Sequence, residues 1–361
     1  MNSYPEREQD LIDYFQTFAS GFQRAQTAAG SQDYFLTLGS QTICLKFAGT
    51  ALISQIIPAL AHLKTEPVSK PDLPICLWDS ASTQTPLPLL ASSLVELVRA
   101  NFWQHLDTRM EIKGYNSDRF FSIFNVGSNL LSVLDTEENI ALYWTEDAQA
   151  LPYWDRGSPL RGIINWWASQ QNLQFVHAGA VGTEQGAVLL AGKGGSGKSS
   201  TALSCLDSDL LYLSDDYCVV STEPTPKVFS LYNTAKLKGK ADLNRFPHLA
   251  SRFNNLDRLE SEKAMIFVQE HFPAKITAQL PIKAILVPRV TGKPDTKVSQ
   301  TSAMVALKAL APSTILQLPK TGQLAFARMS QLARRVPAYV LELGTDIPQI
   351  PQTITQLLSE L

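Results

Sequence analysis

The sequence has few cysteines and no pairing pattern among them. Four cysteines are spread along the 361 residues, at Cys44, Cys76, Cys205 and Cys218, and none forms a C-x-x-C pair. Zinc sites and disulfide frameworks are usually marked by closely spaced cysteines, so neither is indicated. We expect buried free thiols in a reducing compartment.

An excess of one charge and a long apolar segment are also lacking. Lys and Arg total 31 against 33 Asp and Glu, so no general basic field attracts nucleic acid or an anionic membrane. The longest apolar run, Ala51 to Leu63, is interrupted by Pro58 and is shorter than the ~20 residues of a membrane helix. The N-terminus is polar where a secretory signal is apolar. We expect a cytoplasmic protein that binds neither nucleic acid nor membrane.

Two domains are expected from the length, at roughly 150 residues per domain. Residues 1–155 mix a helical stretch with strand-like runs, including a hairpin around Gly39, which indicates a smaller α+β domain. Its role is unknown, and acceptor recognition is assigned to it by elimination. In residues 156–361 apolar strands alternate with helical segments, as in α/β domains. Pro281 and Pro288 are interpreted as loop residues on either side of a strand at 284–288.

A glycine-rich segment carries the strongest chemical signal. Gly192 to Ser199 reads GKGGSGKS and fits G-x-x-x-x-G-K-[ST], after an apolar strand at 187–191 and before a helical stretch. Such a loop aims backbone amides at phosphates, while Lys198 reaches the β and γ phosphates and Ser199 holds magnesium. The predicted nucleotide contacts are Gly192, Lys193, Gly194, Gly195, Ser196, Gly197, Lys198, Ser199 and Ser200, with ATP and Mg²⁺ as cofactors. A ligand-free turn is the alternative, but it gives the Lys-Ser pair no purpose.

An aspartate pair and a histidine follow other predicted strands. Asp215 and Asp216 end the run Leu210 to Leu213, and carboxyl ends of parallel strands border the ligand crevice of open sheets. Adjacent residues point in different directions, so one carboxylate can face a metal and the other an acceptor. His177 closes the run Leu173 to Val176. A solvated turn for the aspartates and a satisfied interior histidine are the structural alternatives.

These elements in order resemble the catalytic domain of HPr kinase/phosphorylase, whose fold is shared with phosphoenolpyruvate carboxykinase. The resemblance covers 177–220 and implies an α/β P-loop kinase domain of that type. It also implies that Asp215 is a general base on a serine hydroxyl, oriented by His177, and that Asp216 and Ser199 hold magnesium. Two features depart from the family: His177-Ala178 stands where it has His-Gly, and its downstream glycine-rich signature is not recognisable.

Three further basic residues are candidates for phosphate or acceptor contacts. Lys236 and Lys238 would share one face of a strand, and both could approach an anion. Arg289 follows the predicted strand at 284–288, at another candidate strand edge. Solvated lysines and a structural salt bridge are the alternatives.

The leading hypothesis is an ATP- and Mg²⁺-dependent kinase that phosphorylates a serine hydroxyl on a peptide, protein or small molecule. A second is phosphoserine phosphorolysis by the same groups. A third is a nucleotide-binding regulatory or assembly protein without turnover. The identity of the acceptor and a homo-oligomeric state stay open.

Overall fold

The computed structural model describes residue 5, residues 7–319 and residues 322–361. They form two compact units: unit 1 contains Lys64–Trp167 and most of the chain before it, and unit 2 contains most of the chain from Ala168 onward. A short segment, Ala59–Leu63, belongs to unit 2. The domains 1–155 and 156–361, which were drawn from the chain length and the change in sequence pattern, stay predictions. Within the described residues, no helix combines the length and apolarity needed to cross a membrane.

Unit 1 is built around a six-stranded mixed sheet with the order β1-β2-β3-β6-β5-β4. The predicted hairpin is present as β1 and β2, which pair antiparallel with Leu38 opposite Gln41. The elements that begin here are α1 Glu8–Ala29, β1 Ser31–Leu38, β2 Gln41–Ala48, α2 Ile53–Leu60, β3 Leu73–Asp79, α3 Ser80–Thr83, α4 Leu89–Ala100, α5 Phe102–His105, β4 Phe120–Asn125, β5 Leu130–Asp135, β6 Ile140–Thr145, α6 Tyr153–Arg156 and α7 Arg161–Gln170; the last two residues of α2 and the last three of α7 belong to unit 2. Helix α1 buries an aromatic face that includes Phe18, against Trp78 of β3.

Unit 2 contains a nine-stranded sheet and a separate two-stranded ribbon. Its elements are β7 Gln174–Val176, β8 Ala178–Thr183, β9 Gly186–Ala191, α8 Lys198–Ser204, β10 Leu211–Ser214, β11 Cys218–Ser221, β12 Lys227–Ser230, β13 Thr234–Leu237, α9 Gly239–Leu243, β14 Ala264–Phe267, α10 Val268–His271, β15 Gln279–Val290, β16 Lys297–Thr301, α11 Ala303–Gln317, α12 Gln323–Arg335, β17 Ala338–Leu343 and α13 Gln349–Ser359. The ribbon is the antiparallel pair β13–β14.

The large sheet is mixed, with the main order β10-β8-β9-β15-β12-β11-β7 and with β17 pairing both β15 and β16. Strand β9 is parallel to β15 and antiparallel to β8. All six residues of β9 are buried, because its alternate side chains enter two separate hydrophobic clusters. This burial on both faces explains the continuous apolar run that predicted the strand.

The interpretation of Pro281 and Pro288 as loop residues was wrong. Both lie inside β15, where Pro281 is opposite Lys227 of β12 and Pro288 is opposite Leu341 of β17. Strand β15 changes partners along its twelve residues: Pro281 pairs with β12 and Pro288 with β17, whereas the central Ile285 and Leu286 pair with both β9 and β17. A rule that takes proline as the end of a strand uses only the local sequence. It cannot detect that β15 exchanges one pairing partner for another along its length.

Candidate active site at the sheet edge

The glycine loop, defined as Gly192 to Ser199, connects β9 to α8 as the pattern predicts. Gly197 has φ +105°, and a Cβ there would lie 2.2 Å from Cδ1 of Leu343. Only glycine therefore fits this position without strain. Lys193, Gly194 and Gly195 are exposed, so the outer part of the loop is open to solvent. Ser196 and Ser199 are partly exposed and Ser200 is buried.

Strand directions bring the loop, His177 and the aspartates to one edge of the sheet. Ala178 at the start of β8 pairs with Ala191 at the end of β9, so His177 lies beside the beginning of the loop. Strand β10 is antiparallel to β8 and so runs parallel to β9. The residues after β10, Asp215 and Asp216, consequently lie at the same edge. The prediction was based on an open parallel sheet, whereas here the antiparallel strand β8 lies between β9 and β10.

The backbone at this edge is closely packed. A Cβ on Gly179 would lie 3.0 Å from the backbone oxygen of Asp215 and 3.2 Å from that of Ser214. A larger residue at this position would push the aspartate turn away from β8. The small pair Ala178-Gly179 after His177 therefore lets the aspartates approach the sheet.

Asp216 is held between two basic side chains. His177 Nε2 lies 2.8 Å from Oδ1 of Asp216, and Lys236 Nζ lies 3.2 Å from its Oδ2. Burial alone would raise the pKa of this carboxyl, but the Lys236 ammonium and the His177 hydrogen bond outweigh burial and hold the pKa well below its ordinary value. Asp216 is therefore an anion at any physiological pH. The resemblance implies that His177 orients Asp215, but the hydrogen bond in the structure goes to Asp216.

The pKa of Asp215, unlike that of Asp216, lies above its ordinary value. Its side chain is buried, and its Oδ2 accepts a 2.9 Å hydrogen bond from the backbone amide of Lys236. Within the described residues, Oδ1 has no hydrogen-bond partner. Burial and the neighbouring Asp216 charge raise its pKa to about 6, against smaller opposing effects of the Ser199 hydroxyl and the Lys236 amide. A carboxylate with one unpaired oxygen and a pKa near neutrality can accept a proton from a substrate hydroxyl that comes within hydrogen-bond distance of that oxygen.

Lys198 curls back over the glycine loop. Its buried ammonium donates to the backbone oxygen of Gly192 at 2.6 Å and to that of Lys193 at 3.4 Å. Burial lowers the pKa of Lys198, and the charge of Lys263 lowers it further, while Asp216 and Asp215 oppose both effects. The cationic group therefore lies inside the loop and within electrostatic reach of both aspartates.

The other predicted basic residues are placed differently. Lys238 is exposed just beyond the end of β13. Arg289 is exposed near the end of β15, three residues after Leu286, which pairs with Leu190 of β9. Arg289 therefore lies at the same sheet edge as the loop. In the part of the chain that is described, neither side chain forms an ion pair.

Lys263 was missed by sequence reasoning. It precedes β14, and because Leu237 pairs with Ala264 in the ribbon, Lys263 lies across from Lys238. Its side chain is exposed and close enough to Lys198 to affect its pKa. No motif identifies Lys263, because its position depends on strand pairing that places it across from Lys238, which lies 25 residues earlier in the sequence.

The residues present fit a magnesium ion bound together with a nucleotide. Mg²⁺ in such sites takes one or two protein oxygens and completes its shell with phosphates and water. The permanently ionised Asp216 and the partly exposed Ser199 hydroxyl supply oxygens of that kind. No group of three or more His, Cys, Asp or Glu side chains suited to a metal occurs among the described residues. Magnesium would therefore be held here only with help from the phosphates.

A separate cavity of about 960 Å³ lies at the other end of α8, beside α13. Its lining includes Phe246, His248 and Pro351 and contains none of the predicted site residues. The candidate chemistry is therefore at the open sheet edge rather than in this cavity.

Comparisons with known proteins add little to this picture. No protein-family model matches the chain, and no curated protein matches it. Among solved structures, the chain is similar to an Hpr(Ser) kinase/phosphatase from Coxiella burnetii, with 12% identity and a TM-score of 0.28. The similarity covers 52% of this chain and 94% of that chain. A likeness this low carries no argument about function, which depends on the geometry described above.

Proposed function

We propose that this chain is a phosphotransferase that uses ATP and Mg²⁺ to phosphorylate a serine hydroxyl. The observation that carries the proposal is the contrast between two adjacent aspartates beside the glycine loop. Asp216 is an anion held by His177 and Lys236, whereas Asp215 has a pKa of about 6 and a buried oxygen with no hydrogen-bond partner among the described residues. Phosphoryl transfer needs both groups: an anion for the metal and a base for the acceptor.

Each side chain has a defined part in this reaction. The amides of the glycine loop and the Lys198 ammonium bind the phosphates of ATP. Asp216 and Ser199 would hold magnesium, which, when bound, neutralises charge on the phosphates. Oδ1 of Asp215 takes the proton of the serine hydroxyl, whose oxygen forms a bond to the γ-phosphorus as the bond to the β,γ-bridging oxygen breaks. ADP leaves, and the proton stays on Asp215 until it passes to solvent.

His177 and Lys236 act on the aspartates. The Lys236 ammonium neutralises Asp216 and the His177 hydrogen bond orients it, so that its charge repels the incoming triphosphate less. The Lys236 amide fixes Oδ2 of Asp215, and this hydrogen bond leaves Oδ1 for the acceptor. Catalysis then comes from positioning and charge neutralisation, as expected for phosphoryl transfer.

The reverse reaction is a second candidate, and the pKa of Asp215 favours it. A carboxyl with a pKa of about 6 is protonated in a sizeable fraction of molecules at neutral pH. The protonated form can return a proton to the serine oxygen as inorganic phosphate or ADP removes the phosphoryl group. Phosphoserine phosphorolysis would therefore use the same residues in reverse order.

Transfer to an acceptor tests the proposal directly. The protein would be incubated with γ-labelled ATP, Mg²⁺ and a panel of serine-containing peptides and small molecules, and the products identified by mass spectrometry. Asp215→Asn should abolish transfer while nucleotide binding, measured by calorimetry, stays within about twofold. Asp209→Asn, at an exposed aspartate between α8 and β10, is the matched control.

Three results separate the hypotheses. Nucleotide binding without labelled product in the wild-type chain would favour the regulatory alternative. Release of serine from a phosphoserine acceptor on addition of phosphate would establish the reverse reaction. Failure to bind Mg-ATP would refute the whole assignment.

A further inference from the structure

The His177 ring is held by residues that sequence reasoning did not single out. Tyr217 stacks on it with 4.9 Å between ring centroids and an interplanar angle of 29°. Tyr217 itself is buried and packs against Phe175, with centroids 5.4 Å apart. The tyrosine ring is thus confined between two aromatic rings, and this packing restricts the angles that the His177 ring can adopt.

Helix α11 anchors the same group from another direction. The backbone amide of His177 donates a 3.1 Å hydrogen bond to Oγ1 of Thr314, which is fully buried. The Tyr217 hydroxyl donates a 2.9 Å hydrogen bond to Oε1 of Gln317, the last residue of α11. One helix therefore fixes both the backbone of His177 and the ring that covers its side chain.

The hydrogen bond to Asp216 requires one particular orientation of the histidine. A carboxylate only accepts hydrogen bonds, so Nε2 of His177 must carry a proton. Nδ1 is buried and has no hydrogen-bond partner among the described residues. Among the described residues, the bond to Asp216 is the one hydrogen bond that selects the orientation of the ring. The packing around the ring must supply the remaining restraint against a flip.

We propose that Tyr217 and Thr314 are positioning residues that hold His177 with Nε2 directed at Asp216. The inference rests on the proposed function for its kinetic consequence, but not for its structural one. Without the stacked ring, His177 can rotate, and Asp216 then loses one of the two hydrogen bonds that orient it. The metal-binding carboxylate would be less well oriented when the acceptor oxygen attacks.

The first test follows His177 itself by ¹⁵N NMR of the histidine side chains. The chain has five histidines, and the signals missing from His177→Gln identify the one of interest. The wild-type chain should show a proton on Nε2 only. Tyr217→Phe, which keeps the ring, should give the same pattern, whereas Tyr217→Leu should show averaging between the two tautomers.

The second test is kinetic. Tyr217→Leu should lower kcat about tenfold while the KM for ATP changes less than about twofold, and Tyr217→Phe should stay within about twofold of wild type in both. Once the concentration of active protein has been determined by titration, a smaller fraction of folded protein no longer lowers kcat. A decrease confined to kcat therefore reports a change in the site. If Tyr217→Leu does not fold, Thr314→Val tests the same idea by removing only the hydroxyl that holds His177, with Thr314→Ser as the conservative rescue.

The inference is overturned if folded Tyr217→Leu, or Thr314→Val in its place, leaves the His177 signals and kcat unchanged. Equal damage from Tyr217→Phe and Tyr217→Leu would also overturn it, because the stacked ring would then be irrelevant. If the wild-type chain transfers no phosphate, the proposed function fails. The NMR comparison still decides whether Tyr217 and Thr314 position the histidine.

Discussion

Lys236 contacts both catalytic candidates through different atoms: its backbone amide donates to Oδ2 of Asp215, and its ammonium contacts Oδ2 of Asp216 at 3.2 Å. The two contacts can be separated by mutation, since only the second depends on the side chain. The strand register thus fixes the position of Asp215, while the lysine side chain neutralises Asp216.

Replacing Lys236 with Met should remove the charge from Asp216 and leave the amide contact to Asp215. We expect kcat to fall by at least about tenfold, corresponding to ~1.4 kcal/mol in the barrier, because a partly buried carboxylate loses its counter-charge. Lys236→Arg should retain part of the activity. Steady-state kinetics at saturating Mg-ATP would measure both, and unchanged kcat in Lys236→Met would show that the ion pair is only structural.

The rate should depend on the ionisation of Asp215. With a pKa of about 6, the carboxylate needed as base is lost as the pH falls, so kcat/KM should decline tenfold per pH unit below about pH 6. Above that value it should level off. Initial rates between pH 5 and 8 at fixed free Mg²⁺ would reveal this limb, and a flat profile across this range would exclude Asp215 as the base.

The ionisation of Asp215 should also make the free energy of unfolding depend on pH, which can be measured without an activity assay. The folded-state pKa of about 6 exceeds the ordinary value of 3.8, so the stabilisation from the bound proton is present below about pH 4 and lost as the pH rises through 6. The free energy of unfolding of Asp215→Asn relative to wild type should therefore rise by roughly 2–3 kcal/mol between pH 4 and pH 7.5. Urea titrations would measure it, with Asp209→Asn showing no such trend.

A methyl group at Gly197 should strain the glycine loop. The left-handed φ and the 2.2 Å approach of Leu343 predict that Gly197→Ala costs about 1–3 kcal/mol in the free energy of unfolding. Gly194→Ala is a matched control in the same loop, because a Cβ there meets nothing within 4 Å. Equal stability of the two variants in denaturant titrations would show that the loop relaxes easily.

Lys263 should contribute to binding the terminal phosphate of the nucleotide. Lys263→Gln is expected to weaken ATP roughly three- to tenfold and ADP by less, because the ammonium lies near Lys198 and is partly screened by solvent. The loss of ATP affinity in Lys263→Gln should become smaller at high salt concentration. Calorimetric titrations with both nucleotides would check it, with Lys308→Gln at an exposed position of α11 as control. Equal losses for ATP and ADP would contradict this role.

Local sequence patterns predicted several elements well. The predictions failed where pairing between distant strands determines the structure. Strand β9, Gly186–Ala191, begins one residue before the predicted strand at 187–191, and the predicted hairpin around Gly39 is present as β1 and β2. Both were found from contiguous apolar or strand-like runs next to a turn signal. Strand β8, with the sequence AGAVGT, was not predicted, since alanine and glycine have low strand propensity. Its place in the sheet is set by its neighbours β9 and β10.

The same distinction applies to the candidate site. The glycine loop and the aspartate pair are contiguous in sequence and could be found by their patterns. The contact of His177 with Asp216 rather than Asp215, the double role of Lys236 and the approach of Lys263 arise from strand pairing in three dimensions. No single-sequence rule contains that information.

The segment Ala59–Leu63 limits how the chain can be divided. Although it comes early in the sequence, the backbone oxygen of Ala59 accepts a hydrogen bond from the Asn233 amide, and His62 Nε2 lies 2.8 Å from the Ser230 hydroxyl. A fragment that starts at residue 156 would lack Ala59 and His62. Ser230, at the end of β12, and Asn233, just before β13, would then lose these hydrogen-bond partners. Expression of residues 156–361 alone should therefore require these five residues, supplied as a fused or added peptide.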